Sequence, residues 1–497
     1  AAIMPAPKLG LPPVVPEELA KGLAAIRETA AVPPDFPVEV HAAAQQAAAE
    51  PIVPDLDRTD LELITIDPAG SRDLDQALHI GRGLSGEFVI SYAIADLAAF
   101  IRAGGPIDLE AHRRGTTLYA PDCRTPLHPP VLSEGAASLL PNEVRPALLW
   151  TITLDHRGQM LAAEVARATV RSRTQLSYSE AQAEIDSSTP RETLGLLKLV
   201  GQWREIRERD RGGVSLKIPQ QEIHPQGNGW TLRFRAPEPV EGWNAQISLL
   251  AGMAAAHIML YGQVGILRTM PPADSYSLRR LRQVAKALRI VWPPEMDYPE
   301  FVRTLTPTRP DQAAMLNSST RLFRGAGYRS FSGGIPEAAD HAAIASDYAH
   351  TTAPLRRLVD RYTGEICVAL CADQPVPAWV FRDLDGLPEQ MAAAERRSKK
   401  YERAIIDLLE VHLLSNRVGQ TFTGTVVEVD HDKQRGTVMI EEPAVEGRVI
   451  GDRLRLGQEV LVRLTSASYD VGAVAFEVAR TISGPFDASP PPPPPPE

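Results

Sequence analysis

Cysteine is nearly absent. Only Cys123, Cys367 and Cys371 occur in 497 residues, too few to staple a fold of this size, so a reducing compartment is expected. Long hydrophobic runs are missing as well. The nearest, over 247–260, contains His257 and falls short of the roughly 18–20 residues that span a bilayer. No charged start followed by an apolar stretch opens the chain, so nothing marks it for export, and a cytoplasmic protein with no membrane association is expected. Positive charge is in deficit. A net charge of −10 and a pI near 5.7 exclude a protein that coats nucleic acid non-specifically, while leaving room for an enzyme whose cationic surface is confined to one channel. What remains is ordinary for a globular chain: 44% hydrophobic and 23% charged residues, with length for about three domains.

Pro16 opens a helical pattern with acids in its first turn and Leu19, Leu23 and Ile26 on one face. Pro37 opens a second, alanine-rich one that Pro51 and Pro54 close. Residues 1–54 thus read as a small helical module, with a helix-turn-helix and a plain packing appendage equally open. From 55 to 416 strand-like and helix-like runs mix without a repeat. Residues 89–98 and 148–154 read as buried strands, 192–209 and 392–416 as long helices. Over 417–482 the character changes to short strands split by Gly and Asp turns, the pattern of a small β-barrel of the OB kind. Residues 483–497 end in seven prolines, Pro490 to Pro496, expected to form a mobile polyproline segment.

The sharpest chemistry lies at Asp67, Asp73 and Asp75, followed by Gln76. Three carboxylates within nine residues, broken by Pro68 and Gly70, are expected on a loop after a strand. Asp73 and Asp75 alternate as on an extended chain, so both can face one side. Such a cluster suits Mg²⁺ or Mn²⁺, which take hard oxygen ligands. A turn whose aspartates cap backbone N–H groups stays open as the alternative.

This stretch resembles the signature of the ribonuclease II/R (RNB) family of exoribonucleases, written TID, a short loop, then DxDDA. Further blocks follow in the family's order: Ile94-Ala95-Asp96; Tyr119 followed by Pro129–Ser133 and Ala137–Asn142; and Asp347–Asp360 with Arg356 inside it. The barrel at the end is similar to that family's C-terminal S1 domain. The resemblance implies an α+β architecture: a helical N-terminal module in place of cold-shock domains, an RNB catalytic domain and an S1 barrel. It implies Mg²⁺-dependent, hydrolytic 3′-to-5′ degradation of single-stranded RNA to nucleoside 5′-monophosphates by a monomer, with the RNA 3′ end in a channel. It places Asp67, Asp73, Asp75 and Gln76 around the metal, with Asp75 the acid on which chemistry depends most. Tyr119 and Arg356 fall at the scissile phosphate, Glu402 near the site, and Tyr178 and Leu216 at the stacked bases. At three places the chain departs from the family pattern: Gln76 stands for an aspartate, Leu216 for an aromatic, and Ser248 with Leu249 for paired glutamates.

Other residues are read on their own chemistry. Arg324 and Arg329, interleaved with Phe323, Tyr328 and Phe331, are candidates for nucleic-acid contact. The charges at Glu395–Arg403 form either a solvated face or part of an RNA channel. Cys367 and Cys371 read as core thiols, His341 as scaffold, and His350 is open between scaffold and site. The barrel carries seven Lys/Arg against ten Asp/Glu over 418–480, so any RNA contact there must use one face.

Overall fold

A computed structural model describes residues 16–215, 220–226, 229–235, 237–306, 309–337, 339–430, 434–469 and 472–483. Leu216 and the proline run lie outside the described residues.

Two closed five-stranded barrels organise the chain. The first is built from Leu63–Asp67, Gln76–Arg82, Phe88–Ala95, Val144–Leu154 and Met160–Ser177, neighbours in that order. All its pairings are antiparallel except the closing one, where Leu63–Asp67 runs parallel to Met160–Ser177. Burial alternates only loosely along these strands, because helices cover much of the barrel. Trp150, Tyr92 and Phe88 are fully buried. The helix Pro239–Tyr261 is apolar nearly all round and is buried accordingly. Its Gly252 lies where a Cβ would come within 2.1 Å of the Tyr348 ring, so only glycine lets that helix approach the segment before Arg356.

The two N-terminal helices, Glu17–Thr29 and Val38–Ala49, dock on this body. The first sets Leu19 and Leu23 against Tyr401, Ile405 and Leu408 of the long helix Leu387–Leu414. The second packs Val40 and Ala44 near Ile107 on Pro106–Arg114.

The second barrel has the strand order Thr421–Asp430, Arg435–Ile440, Val445–Ile450, Ala473–Ser483, Glu459–Ser468, the connectivity of an OB barrel. Val411 and Leu414 at the end of the long helix join its core. At this junction the Glu410 carboxylate, 2% exposed, accepts from the Glu446 N–H at 3.0 Å and the Gln221 amide at 2.9 Å. Burial pushes Glu410 up to about 7. No helix among the described residues is long and apolar enough to cross a membrane.

Candidate active site

The first strand ends at Asp67, and Pro68 with the positive-φ Gly70 turns the chain into an irregular stretch that re-enters the barrel at Gln76. The stretch is pinned by its own backbone. Ser138 Oγ donates to the Arg72 carbonyl at 2.5 Å and accepts the Leu74 N–H at 2.9 Å. Asp73 and Asp75 are thereby presented to two different partners.

Asp73 faces the short hairpin Leu118–Tyr119 and Arg124–Thr125, in which Tyr119 and Arg124 are register partners. Arg124 Nη1 donates to one oxygen of the Asp73 carboxylate at 2.7 Å, and the Tyr119 hydroxyl donates to the other at 3.3 Å. The other arm of Arg124 pairs with Glu134 at 2.8 Å. Burial, then the Asp73 charge, pushes the Tyr119 hydroxyl well above its ordinary pKa, so it stays a donor at neutral pH.

Asp75 is 4% exposed. The Leu355 N–H donates to one carboxylate oxygen at 2.7 Å, and Arg356 Nε lies 3.3 Å from the other. Burial dominates: it raises the Asp75 carboxyl to about 8, against the pull of Arg356 and the Leu355 N–H, with Asp73 adding to the rise. For Arg356, burial works against the charge, but the neighbouring Asp75 overrides it and the guanidinium is held above its usual pKa. The turn carrying Arg356 is fixed from several sides. The Ala353 N–H donates to Asp360 at 2.7 Å, while Thr117 N–H and Thr116 Oγ1 donate to the Arg356 carbonyl at 3.0 and 2.9 Å.

Gln76, expected among the metal ligands, has its amide committed elsewhere. Its nitrogen donates to the Thr352 carbonyl at 2.5 Å, and its oxygen accepts from the buried Tyr92 hydroxyl at 2.9 Å. Tyr92 also meets Ser248 Oγ at 2.8 Å. Two of the chain's departures from the family pattern, Gln76 and Ser248, are thus joined through one tyrosine.

Asp67 pairs in register with Ser177, the residue before Tyr178. Its charge acts on both the Tyr178 and Tyr92 hydroxyls, after burial the largest influence on Tyr178. Tyr178 is half-buried at the start of a helix secured by a capping box between Ser177 and Glu180.

The remaining expected residues are placed as follows. Glu402 accepts from Ser398, one turn earlier on its helix, at 2.7 Å, and among the described residues no hydrogen bond or ion pair links it to the aspartates. Tyr328 is not open to a base: Arg268 covers its ring at 4.6 Å, and its hydroxyl bonds His350 at 2.7 Å. Arg324 and Arg329 are exposed, and Arg329 donates to the Glu337 carbonyl at 2.9 Å. In the charge run on the long helix Glu395 pairs with Arg268 at 2.8 Å, Arg397 donates to the Arg114 carbonyl and Arg403 pairs with Asp407 at 2.8 Å, while Arg396, Lys399 and Lys400 are exposed. Burial lowers His341 to about 4 and takes His350 well below its usual value, so both rings are neutral at pH 7. Cys367 is buried and Cys371 exposed. Sequence reasoning missed Arg124, Tyr92 and the Leu355 N–H. Only Arg124 had a local signal, its place opposite Tyr119 across a tight hairpin.

The RNB-domain family model matches residues 56–371. The chain belongs to the RNB family. Residues 420–479 match the RNase II-type exonuclease C-terminal S1 domain. Ribonuclease R of Aquifex aeolicus is 26% identical over 95% of this chain and 69% of its own length. Ribonuclease R of Escherichia coli is 25% identical over 86% of this chain and 58% of its own length, so the chain spans little more than half of that relative. Among solved structures, Mycoplasma genitalium RNase R in complex with ribose-methylated single-stranded RNA superposes with a TM-score of 0.82 at 18% identity, over 93% of this chain and 78% of that one. Yeast Ssd1, a pseudonuclease, superposes at 0.65 with 17% identity, over 83% of this chain and 52% of that one. These likenesses show the fold.

Among the described residues no group of three or more His, Cys, Asp or Glu side chains is placed to hold a metal ion. The donor chemistry still fits Mg²⁺, which is commonly held by one or two carboxylates and completed by substrate phosphates and water. Asp75 supplies the reason. It is a buried carboxyl whose single neighbouring cation leaves it raised to about 8, and further positive charge would return it to the ionised form.

Proposed function

We propose that this chain is a cytoplasmic, monomeric, Mg²⁺-dependent 3′-to-5′ exoribonuclease that hydrolyses single-stranded RNA to nucleoside 5′-monophosphates. The observation that carries the reading is the pairing of buried Asp75 with Arg356, with Tyr119 and Asp73 beside it. Each residue has a task. Asp73 and Asp75, with Asp67 nearby, would hold the ion. When bound, Mg²⁺ acidifies water and neutralises charge at the phosphoryl centre. Arg356 offers a planar fork to the non-bridging oxygens of the last phosphodiester, which a lysine cannot match. Tyr119, kept protonated, donates to the same phosphate. Tyr178 stacks the terminal base without reading its identity. Water attacks phosphorus, the bond to the preceding 3′-oxygen breaks, that oxygen takes up a proton, and a nucleoside 5′-monophosphate leaves.

The test is a denaturing gel of 5′-labelled single-stranded RNA with Mg²⁺ or EDTA. A ladder shortening from the 3′ end with metal alone supports the reading. RNA that stays intact under both conditions yet shifts on a native gel would sink it. That outcome would leave an RNA-binding protein with an inactive site, the reading that Gln76 favours.

A further inference from the structure

Between residues 273 and 291 five basic residues stand against a single acid, Asp274, in a chain of net charge −10. They lie on the helix Ser275–Ala287 and the turn that follows it. Its inner face buries Leu281 and Ala285, with Leu288 beyond, in a core shared with Phe301, Met315 and, from the second barrel, Val427. Arg282 also serves this inner side. It stacks over Trp292 at 4.3 Å and donates to the Met296 carbonyl at 3.1 Å, while Trp292 stacks on Phe301 at 4.0 Å. The helix is therefore held rigidly by one face.

The other face carries Tyr276, Arg279, Arg280, Gln283 and Lys286, all exposed, Tyr276 by 65%. Their spacing of three and four residues makes one stripe, about 15 Å long at 1.5 Å per residue. Among the described residues Arg279, Arg280 and Lys286 have no carboxylate partner. Arg282 and Lys286 stand at i,i+4, a like-charge spacing that weakens a helix. The end of this helix abuts the second barrel: a Cβ on Gly457 of that barrel would come within 2.6 Å of buried Leu288. The turn Thr320–Leu322 packs on the same helix and leads to exposed Arg324. The barrel itself has no basic surplus, seven Lys/Arg against ten Asp/Glu.

We infer that this stripe is a docking track for the phosphate backbone of single-stranded RNA, with Tyr276 as a stacking platform, and that it supplies the cationic surface the adjoining barrel lacks. The inference rests on the exoribonuclease reading and concerns the RNA upstream of the cleaved end. It explains how an acidic chain holds a long substrate: a local basic surplus of four charges between residues 273 and 291 faces the phosphates although the chain as a whole is negative.

The test measures binding of a 5′-labelled oligonucleotide of about 30 unstructured nucleotides in EDTA, across a salt series. The triple variant Arg279→Gln, Arg280→Gln, Lys286→Gln keeps helix-forming side chains. Its slope of log affinity against log salt is expected to fall by about 2, from three contacts at about 0.7 each. Cleavage of a roughly five-nucleotide RNA in Mg²⁺ stays within twofold of the parent. A control triple, Lys21→Gln, Arg113→Gln, Arg382→Gln, removes the same charge from side chains 63%, 72% and 55% exposed elsewhere and is expected to leave the slope unchanged. An unchanged slope in the first variant, or an equal fall in the control, overturns the track while leaving the exonuclease standing. A parent that neither binds nor cleaves overturns both.

Discussion

Replacing Gln76 by glutamate separates two roles for this position. As a metal ligand, residue 76 would gain from a charged oxygen, and the Mg²⁺ needed for half-maximal activity would drop. The geometry predicts the opposite. The Gln76 nitrogen donates to the Thr352 carbonyl, three residues before Leu355 and four before Arg356, and its oxygen receives the Tyr92 hydroxyl. In Gln76→Glu the donor becomes an acceptor facing a carbonyl, next to the buried Asp75 carboxyl. In Gln76→Leu the carbonyl is left buried and Tyr92 loses one of its two partners. Tyr92 keeps Ser248, so the one group left unpaired is the Thr352 carbonyl, and Gln76→Leu should lower stability by about 1–3 kcal/mol in urea unfolding. Displacing the Arg356 turn by about 1 Å would reduce the cleavage rate roughly 100-fold in either variant. A Mg²⁺ titration of single-turnover cleavage reads the distinction. A Gln76→Glu protein as active as the parent at lower Mg²⁺ would refute the positioning argument and restore Gln76 to the metal site.

Three further outcomes follow from named contacts. Glu410 ionises near 7 when folded and near 4.5 when unfolded, so the native state holds the extra proton. Its contribution is most favourable below 4.5 and is lost as pH rises through 7, by as much as about 3 kcal/mol. Glu410→Gln should therefore gain on the parent in chemical melts from pH 5 to pH 8, and a pH-independent difference would show an ordinary carboxylate. Arg356→Lys keeps the charge near Asp75 but loses the fork, so single-turnover cleavage should drop about 100-fold; a loss within threefold would remove Arg356 from the phosphate. Tyr178→Ala should weaken RNA binding by about 1–3 kcal/mol while Tyr178→Phe binds like the parent, and a phenylalanine variant as weak as alanine would mean that the hydroxyl, not the ring, makes the contact.

Much of the scaffold was legible because it rests on local patterns. The buried strand expected at 148–154 lies inside Val144–Leu154, that at 89–98 overlaps Phe88–Ala95 but overruns it into the 3-10 turn Leu97–Ala99, and the two long helices run at Glu192–Asp210 and Leu387–Leu414. The C-terminal barrel was announced by its turn residues. The acidic cluster and Arg356 were legible through motif order, although 280 positions separate Asp75 from the Leu355 N–H that fixes it. What stayed hidden was the pairing of side chains distant in sequence. Nothing near Gln76 tells that Thr352 takes its amide, and nothing near Tyr328 tells that Arg268 lies on its ring. Interleaved aromatics and arginines read as a nucleic-acid surface, yet at Tyr328 they form a buried stack behind the site, because an arginine over an aromatic face is also a stable core contact.

The most direct test of the central claim is single-turnover cleavage of 5′-labelled single-stranded RNA by Asp75→Asn, with RNA affinity measured on the same protein in EDTA. Asparagine keeps the volume and an oxygen for the Leu355 N–H while removing the carboxylate that would hold the metal. The account predicts that cleavage from the 3′ end falls by more than about 100-fold while affinity changes by less than about threefold, or 0.7 kcal/mol. A variant that cleaves within tenfold of the parent would contradict it and move the chemistry away from Asp75.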